Sequence, residues 1–278
     1  MHEKFIVSLI TIILSLLTCE SVLTVVDPTG ILHYYNDATT LYVGYRADST
    51  RQFVLLPDDY QMQRWSATVL ADSSRRVPDS KTNAACKWVI LGDSLTFGWG
   101  VDDKDTWANI LAQQTACQVI NAGVPAYNIW EILATYHAYP GADLYIYLLI
   151  DNDADRDADK MPLATKPSSA ILTYLNYMRY LGNSNYTVPQ ADFWTALTEL
   201  ESDPHMIVVG FNDAQLALNV QKNGSVIHLI APYTGRISRA DWHPDALGHR
   251  QISDEIQAAI KNVDQKRKFA TVQNIVIQ

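Results

Sequence analysis

The stretch "KWVILGDSLTFGWGV", residues 87–101, places a serine directly after a short apolar run and ahead of a glycine-rich turn. The run Lys87–Leu91 has the length and apolar character of a buried strand. Ser94 would then cap the next helix, fill a tight turn, or act as a nucleophile held where the strand ends. The rest of the chain has to separate these three interpretations.

Strands and helices alternate along the chain after Cys86. Further apolar runs predict strands, and segments with helical spacing lie between them. These runs are "CQVIN" (117–121), "DLYIYLLI" (143–150), "MIVVGF" (206–211) and "VIHLIAP" (226–232). Such alternation predicts an α/β domain with a five-stranded parallel sheet and helices on both faces. Ligands of such sheets bind beyond the carboxyl ends of the strands, so the loops at these ends are the place to search for function.

The segment 27–85 has a different pattern, with short alternating runs rich in tyrosine and threonine. They include "ILHYYND" (31–37), "TLYVGYRAD" (40–48) and "QFVLL" (52–56). This pattern predicts short strands and turns. We expect a small β-rich appendage without chemistry of its own, packed against an α/β domain at 86–263 and followed by a tail at 264–278.

Residues 1–26 indicate a signal peptide or a membrane anchor. Lys4 precedes the apolar stretch "FIVSLITIILSLLT" (5–18), which has the length of a signal-peptide core and is short for a membrane span. "LLTC", ending at Cys19, loosely resembles a lipidation site, although Thr18 is a poor residue before the cysteine. Adding "VLTVV" (22–26) would make an uncleaved anchor, against which Glu20 counts. Export is predicted, and cleavage, lipidation and anchoring stay open.

Cysteine use agrees with export to an extracytoplasmic location, either secreted, periplasmic or anchored in the cell envelope. Apart from Cys19, the chain has Cys86 and Cys117, each just before a predicted strand. If these strands are parallel neighbours, the two sulfurs can form a disulfide. The alternative is a pair of buried free thiols.

Charge excludes some function classes. The chain has 21 Lys and Arg against 30 Asp and Glu, a net charge of −9, and no basic run, which disfavours nucleic acid as a partner. Five alternating aspartates from Asp151 to Asp159 suggest a calcium loop. However, Arg156 and Pro162 stand where an EF-hand needs glycine and glutamate. We predict a solvated acidic loop and no metal.

Polar residues follow several of the predicted strands. "GDS" (92–94), "NAGVPAYN" (121–128), "DND" (151–153) and "DWHPDALGHR" (241–250) all fall on the same predicted edge. Acyl transfer needs such a set: a hydroxyl nucleophile, a histidine base, a carboxylate that orients it, and donors for the oxyanion.

These four blocks resemble the signature blocks of the SGNH (GDSL-type) esterase and acylhydrolase superfamily, over about residues 86–263. The resemblance implies a flavodoxin-like three-layer α/β/α fold. It also implies hydrolysis of carboxylic esters without a metal or organic cofactor.

Carried over by position, the resemblance makes Ser94 the nucleophile and its N–H one oxyanion donor. Gly123 would offer a second backbone N–H, and a side chain at this position would crowd the approaching acyl group. Asn152 would supply a third donor through its side-chain amide. His243 would be the general base, oriented by Asp241.

The third block departs from the usual Gly-x-Asn-Asp pattern. Ile150 replaces the glycine, and Asp151 adds a charge beside the amide. "GFND" (210–213) matches the pattern literally, but it follows the fourth strand, and we predict a helix start capped by Asn212 or Asp213. In the second block, Ala126 stands where a second glycine is common.

Rival residues exist near the predicted base. His249 lies one turn into the last helix and is expected to pack or hydrogen-bond there, and Asp245 is expected at the helix N-terminus. A nucleophile elbow of α/β-hydrolases needs G-x-S-x-G, and Thr96 occupies the place of its last glycine.

The predicted function is a serine esterase that cleaves a small, acetyl-like acyl group, with a small ester or an acylated carbohydrate as substrate. Aromatic side chains near the predicted site could stack on sugar rings, although packing is the commoner fate of such residues: Trp99, Tyr127, Trp130 and Trp242. An O-acyltransferase that passes the group to a sugar hydroxyl, and a non-catalytic carbohydrate-binding envelope protein, stay open as alternatives.

Overall fold

A computed structural model describes residues 2–155, 169–180 and 187–276 of the chain. Its helices are α1 (His2–Val26), α2 (Ile31–Tyr42), α3 (Ser94–Phe97), α4 (Trp107–Gln113), α5 (Ile129–Ala138), α6 (Ala170–Tyr180), α7 (Ala191–Glu201), α8 (Gln215–Lys222) and α9 (Ala246–Val276). Its strands are β1 (Tyr45–Asp48), β2 (Gln52–Leu55), β3 (Asp58–Gln61), β4 (Ser66–Val69), β5 (Lys87–Leu91), β6 (Gln118–Asn121), β7 (Leu144–Leu149), β8 (Met206–Phe211) and β9 (Ile227–Ile230). Short 3₁₀ helices cover Asp103–Asp105 and Asp151–Ala154.

A five-stranded parallel sheet in the order β6-β5-β7-β8-β9 forms the centre of the molecule. This is the flavodoxin-like order, in which the chain adds strands first on one side of β5 and then on the other. Helix α4 packs on α9, and α5 packs on α7. Because crossovers between parallel strands are right-handed, this reversal puts the two helix pairs on opposite faces. Strand β7 is buried along its whole length, as a central strand covered on both faces should be. The predicted three-layer α/β fold is confirmed.

Two antiparallel hairpins, β1–β2 and β3–β4, lie in the N-terminal segment, as predicted. The second hairpin reaches the main sheet through Arg75, which pairs with Val69 on one side and with Asn121 at the end of β6 on the other. The two regions also share a hydrophobic core, to which the segment contributes Leu55 and Trp65. The division of the chain at residues 26, 85 and 263 stays a proposal about its domain organisation.

One prediction for this segment is wrong: residues 31–42 form helix α2, not strands. The buried residues Ile31, Ala38 and Leu41 recur at helical spacing and face the core. The Asp27 carboxylate accepts the His33 N–H at 3.0 Å in the first turn, which satisfies a free donor of the new helix. Tyrosine and threonine favour strands on average, but packing of one helical face outweighs that preference here.

A disulfide joins Cys86 and Cys117, whose Cα atoms are 4.7 Å apart. The register of the sheet explains the pairing, because Lys87 of β5 lies opposite Gln118 of β6 and each cysteine precedes its strand by one position. Among the described residues the remaining free cysteine is Cys19, which is exposed on α1. Helix α1 is long and apolar enough to cross a membrane, by length and composition.

Candidate active site

Ser94 lies at the carboxyl end of β5, where the strand order of the sheet reverses. Gly92 has φ +149°, and a Cβ at this position would overlap the Thr96 side chain and approach the Leu148 carbonyl on β7. Asp93 then caps helix α3, since its carboxylate accepts the Leu95 N–H at 2.9 Å. This tight strand-to-helix turn leaves Ser94 as the first residue of the helix, with its hydroxyl at the edge of the sheet.

The structure brings Ser94, His243 and Asp241 together as the motifs predicted. Ser94 Oγ lies 2.8 Å from His243 Nε2, and His243 Nδ1 lies 2.6 Å from Asp241 Oδ1. The loop between β9 and α9 supplies both the histidine and the carboxylate, and Asp241 is buried. With Nδ1–H donated to Asp241, the imidazole presents the lone pair of Nε2 to the serine hydroxyl. This is the geometry that a serine nucleophile and its general base require.

Trp99 completes the surroundings of Asp241. Its indole N–H donates to Asp241 Oδ2 at 3.1 Å, so the two carboxylate oxygens have different partners. The Trp99 ring lies 5.5 Å from the His243 ring and is itself buried. Trp99 therefore supports the carboxylate and the imidazole from within, and its ring is not open for stacking on a sugar.

A buried arginine holds the turn that carries Trp99. Arg75 donates to the carbonyl oxygens of Phe97 at 2.8 Å and Val101 at 2.6 Å, and pairs with Asp103 at 2.9 Å. Its guanidinium also lies 4.7 Å from the centre of the Phe97 ring. The planar guanidinium group has five N–H donors, so it can bind these carbonyl oxygens and the Asp103 carboxylate at the same time. The sequence interpretation missed Arg75, because nothing in its neighbourhood in the chain points to the turn 26 residues away.

Tyr34 of α2 is a second residue that the sequence interpretation missed. Its ring is stacked near His243 at 6.3 Å between centroids and contacts Trp99 at 5.6 Å. The N-terminal segment, expected to carry no chemistry, thus forms one wall beside the histidine. The helical spacing in residues 31–42 was the signal that could have placed Tyr34 on a core-facing helix.

Asp93 also contacts the serine. Ser94 Oγ lies 2.9 Å from Asp93 Oδ2, so the single hydroxyl proton can serve either this carboxylate or His243 at one time. Asp93 is fully buried, and burial raises the pKa of its carboxyl above the usual range. When Asp93 holds a proton, it can donate to Ser94 Oγ and leave the serine proton directed at His243.

In the structure the Gly123 N–H, predicted as an oxyanion donor, is bound to the Asn121 side chain. It donates to Asn121 Oδ1 at 3.1 Å, and the Asn121 amide in turn donates to the Thr96 carbonyl at 2.9 Å. A Cβ on Gly123 would lie 2.5 Å from the Phe97 nitrogen. Close packing against α3 is therefore what requires a glycine here. In the same loop Ala126 has φ +70° and is partly exposed, and its N–H makes no hydrogen bond among the described residues.

Asn152 lies in the 3₁₀ turn that directly follows β7, the strand beside β5. It is partly exposed, and its side-chain amide has no hydrogen-bond partner within the described parts of the chain. Asp151 Oδ1 accepts the Leu216 N–H of α8 at 2.8 Å, so this carboxylate is directed at the α8 N-terminus. The charge that departed from the family pattern thus has a structural partner.

The capping predicted for "GFND" is wrong. Gly210 and Phe211 end strand β8, and helix α8 begins only at Gln215, after Ala214. No side chain caps this helix at the N-cap position, and the carboxylate of Asp151 from the neighbouring loop serves its first turn instead. A partner 65 residues away in the chain lies outside what a local capping pattern can reveal.

A buried acid supports the turn that carries Asn152. Asp153 Oδ2 accepts the Tyr147 hydroxyl at 2.8 Å and the Ile150 N–H at 2.9 Å, whereas Oδ1 is buried without a partner among the described residues. Burial, and then the negative charge of Asp93, raise the pKa of Asp153 well above its usual range. Asp157 and Asp159, the remaining members of the acidic run, lie outside the described residues. Across residues 2–155, 169–180 and 187–276, no three His, Cys, Asp or Glu side chains cluster as a metal site would need.

The rival residues have structural partners. His249 is fully buried in α9, where Nδ1 accepts the Trp107 N–H at 3.3 Å, and burial lowers the pKa of His249 to about 3. Asp245 Oδ1 accepts the Leu247 and Gly248 N–H groups at the start of α9, at 2.9 Å and 3.0 Å. Neither residue contacts the serine hydroxyl.

Of the four aromatic residues predicted near the site, only Trp242 is exposed, with 66% of its surface accessible. Tyr127 is buried, and its hydroxyl donates to the Phe53 carbonyl at 2.7 Å. Trp130 is partly buried against the core. Packing therefore accounts for Trp99, Tyr127 and Trp130, and Trp242 is the aromatic ring available to a ligand.

No protein-family model and no curated protein matches the chain. Among solved structures, a putative lipolytic protein of the G-D-S-L family from Desulfitobacterium hafniense DCB-2 is 15% identical, with 61% of this chain and 97% of that chain covered and a TM-score of 0.38. A carbohydrate esterase family 2 enzyme with its carbohydrate binding domain, from Corynascus thermopiles (Myceliophthora fergusii), is 17% identical, with 66% and 68% covered and a TM-score of 0.40. A carbohydrate acetylesterase family member from Sinorhizobium meliloti is 14% identical, with 64% and 98% covered and a TM-score of 0.38.

Proposed function

We propose that the chain is a serine esterase or acylhydrolase that acts through an acyl-enzyme on Ser94. The observation that carries the proposal is the continuous contact from Ser94 Oγ through His243 to Asp241, at 2.8 Å and 2.6 Å. Ser94 and His243 are 149 positions apart in the chain, so local structure does not explain their meeting. A hydroxyl aligned with an imidazole that is itself held by a buried carboxylate is the arrangement of serine acyl transfer.

In the first half of the reaction, Ser94 Oγ attacks the ester carbonyl carbon while His243 Nε2 takes the hydroxyl proton. Asp241 stabilises the imidazolium that forms. Collapse of the tetrahedral intermediate breaks the bond to the alcohol oxygen, and His243 returns the proton to the departing alcohol. In the second half, water attacks the acyl-enzyme with His243 again as base, which releases the carboxylic acid and restores Ser94.

The oxyanion of the tetrahedral intermediate needs donors at the same edge of the sheet. We assign Ser94 N–H and the Asn152 side-chain amide to this role, since both follow the adjacent strands β5 and β7. The Gly123 N–H can join them only by exchanging its bond to Asn121 Oδ1.

The substrate that we propose is a small acyl ester on a polar or sugar-like alcohol. Trp242 supports the alcohol assignment, because its exposed ring directly precedes His243 and offers an apolar face to a sugar. The disulfide between Cys86 and Cys117 supports an extracytoplasmic location, where such bonds persist. A binding protein without catalysis stays the alternative because the third block is altered at Ile150 and Asp151; of these two departures, the Asp151 carboxylate is directed at the α8 N-terminus.

The experiment compares aryl acetate with longer aryl esters, with and without an added acceptor sugar. We expect turnover of the acetyl ester in water and a loss of at least about 10³-fold in Ser94→Ala. A loss of only a few-fold would reject the nucleophile assignment. Faster turnover with an acceptor sugar would identify an acyltransferase on the same site, whereas no turnover in the parent chain would favour the binding protein.

A further inference from the structure

Helix α1 presents a continuous apolar surface to its surroundings. Over Lys4–Val26 it is long and apolar enough to cross a membrane, and no part of its apolar window is buried in the protein. Residues 2–19, which precede the part of α1 that packs on the folded domain, extend over about 27 Å at roughly 1.5 Å per residue, compared with about 30 Å for the hydrocarbon core of a bilayer. Length and composition alone do not separate an anchor from a removable leader.

The end of α1 is tied into the folded domain through Glu20. Its carboxylate accepts the Ala170 N–H at 2.5 Å, the Ile171 N–H at 3.0 Å and the Ser169 hydroxyl at 2.8 Å. Glu20 therefore satisfies the free backbone donors at the start of α6. The same glutamate that counted against an anchor in the sequence has its charge matched by a helix N-terminus.

Two further contacts join α1 to α6 and α2. Leu23 packs against a small core formed by Ile31, Leu32 and Ala170. Asp27, directly after α1, accepts the Tyr174 hydroxyl of α6 at 2.7 Å. A leader removed after export would take Glu20 and Leu23 with it and leave the α6 N-terminus uncapped. The last two turns of α1 are thus part of the tertiary structure.

Helix α6 carries apolar side chains on its outer face. Leu172, Leu175 and Met178 recur every three residues and expose 52%, 53% and 64% of their surfaces. Ala170 and Thr173 on the opposite face are buried. Three exposed apolar side chains along one face of a helix form a patch of the kind that marks contact with a membrane or with another protein. Because α6 packs on α1, the exposed apolar side chains of both helices belong to one packed pair of helices.

We propose that α1 is retained as a membrane anchor and that the outer face of α6 lies on the lipid bilayer beside it. The partner is the lipid surface, with Leu172, Leu175 and Met178 at the boundary between headgroups and acyl chains. Glu20 and the α6 N-terminus then lie where α1 leaves the hydrocarbon. Two attached helices hold the catalytic domain in one orientation at the membrane, which a single flexible tether would not do.

The first test is the N-terminus of the protein after expression of the full chain in a bacterial host with an export system. We expect intact-mass analysis of the membrane fraction to show residues 4–26 still present, and the protein to resist extraction with alkaline carbonate. A mature chain that begins at or after Cys19, with or without a lipid on that cysteine, would overturn the retained anchor.

The second test places a fluorophore at single cysteines in a Cys19→Ser background of the full chain. The protein is reconstituted in phosphatidylcholine and phosphatidylglycerol vesicles, with quenching nitroxides on the lipid chains. We expect strong quenching for Leu175→Cys and little for Leu218→Cys, a matched leucine that is 44% exposed on α8. Equal quenching at the two positions would overturn the role of α6.

Glu20→Ala separates anchoring from docking. We expect this variant to remain in the vesicle fraction through α1, while the quenching at Leu175→Cys falls toward that of Leu218→Cys. Unchanged quenching would show that the Glu20 contact does not hold α6 at the bilayer. These readouts do not depend on catalysis, so their failure is distinct from failure of the esterase proposal.

Discussion

Two histidines lie six residues apart in "DWHPDALGHR", and their surroundings differ completely. His243 is partly exposed, with Asp241 on one ring nitrogen and Ser94 on the other. His249 is fully buried, accepts one backbone N–H, and has its pKa lowered to about 3 by burial. The carboxylates show the same contrast, because Asp241 orients the imidazole and Asp245 caps α9. The loop before α9 lies at the edge of the sheet, and the beginning of α9 packs on the core. Residues only six positions apart therefore have different surroundings.

The strongest way to break this comparison is to exchange each histidine for glutamine. We expect His243→Gln to lower kcat/KM for an aryl acetate by about 10³-fold or more, because the substitution removes the proposed general base. His249→Gln should keep activity within a few-fold at a temperature where it is folded, since its side chain only packs and accepts the Trp107 N–H. Initial rates and thermal melts of both variants provide the check. Similar losses of activity in two folded variants would contradict the assignment.

Substitutions of Asp241 and Asp245 are expected to have the next largest effects. Asp241→Asn should lower kcat by about 10²-fold or more, because the amide no longer stabilises the imidazolium. Asp245→Ala should instead cost about 1 kcal/mol of stability through loss of the α9 cap, with little change in kcat. Steady-state kinetics and denaturant unfolding separate the two outcomes. An Asp241→Asn enzyme with near-normal kcat would show that His243 does not depend on this carboxylate.

Trp99→Phe tests the support behind Asp241. The substitution removes the indole N–H from Asp241 Oδ2 and keeps an aromatic ring beside His243. We expect kcat to fall by about 10- to 100-fold with KM nearly unchanged, as for loss of one buried hydrogen bond to a charged group. The matched control is Trp65→Phe, whose indole N–H donates to Asp37 at 2.8 Å instead. Equal effects on kcat would mean that Trp99 only fills space.

The buried side chain of His249 should make the stability of the folded protein depend on pH. Since the pKa of His249 is about 3 in the folded protein and about 6.5 when unfolded, the unfolded chain binds more protons below pH 6.5. Its contribution to stability is therefore complete above pH 6.5 and is lost progressively as the pH falls toward 3. We expect His249→Gln to show a shallower fall of the melting temperature over this range. Parallel curves for the two proteins would remove His249 as a source of acid sensitivity.

Much of the site was predictable because strand ends and short motifs are local. The strand before Ser94 and the sequence order of the loops predicted that residues 94, 241 and 243 would meet at one edge, and the structure places them there. The pairing of Cys86 with Cys117 also follows from the start points of neighbouring strands. In each case the position of a residue at the start or end of a predicted parallel strand, together with its residue type, leaves few alternative partners for it.

Other features depend on partners far away in the chain. Arg75, Tyr34 and Asp151 each act through a segment at least 22 residues away, respectively at Phe97, His243 and Leu216. Gly123 shows the same limit, because its close approach to Phe97 on α3 depends on packing between distant segments. No local pattern carries these contacts, since the spacing between the partners is set by the packing of whole elements.

By itself the sequence determined the alternation of strands and helices, the order of the loops at the sheet edge, and the residue types available for acyl transfer. These follow from periodicity and chemistry that are local to each segment. Only the tertiary structure decided that residues 31–42 form a helix beside His243, that Glu20 caps α6, and which donors surround Asp241. The physical reason is that burial and hydrogen-bond satisfaction depend on neighbours that the chain brings together only when it folds.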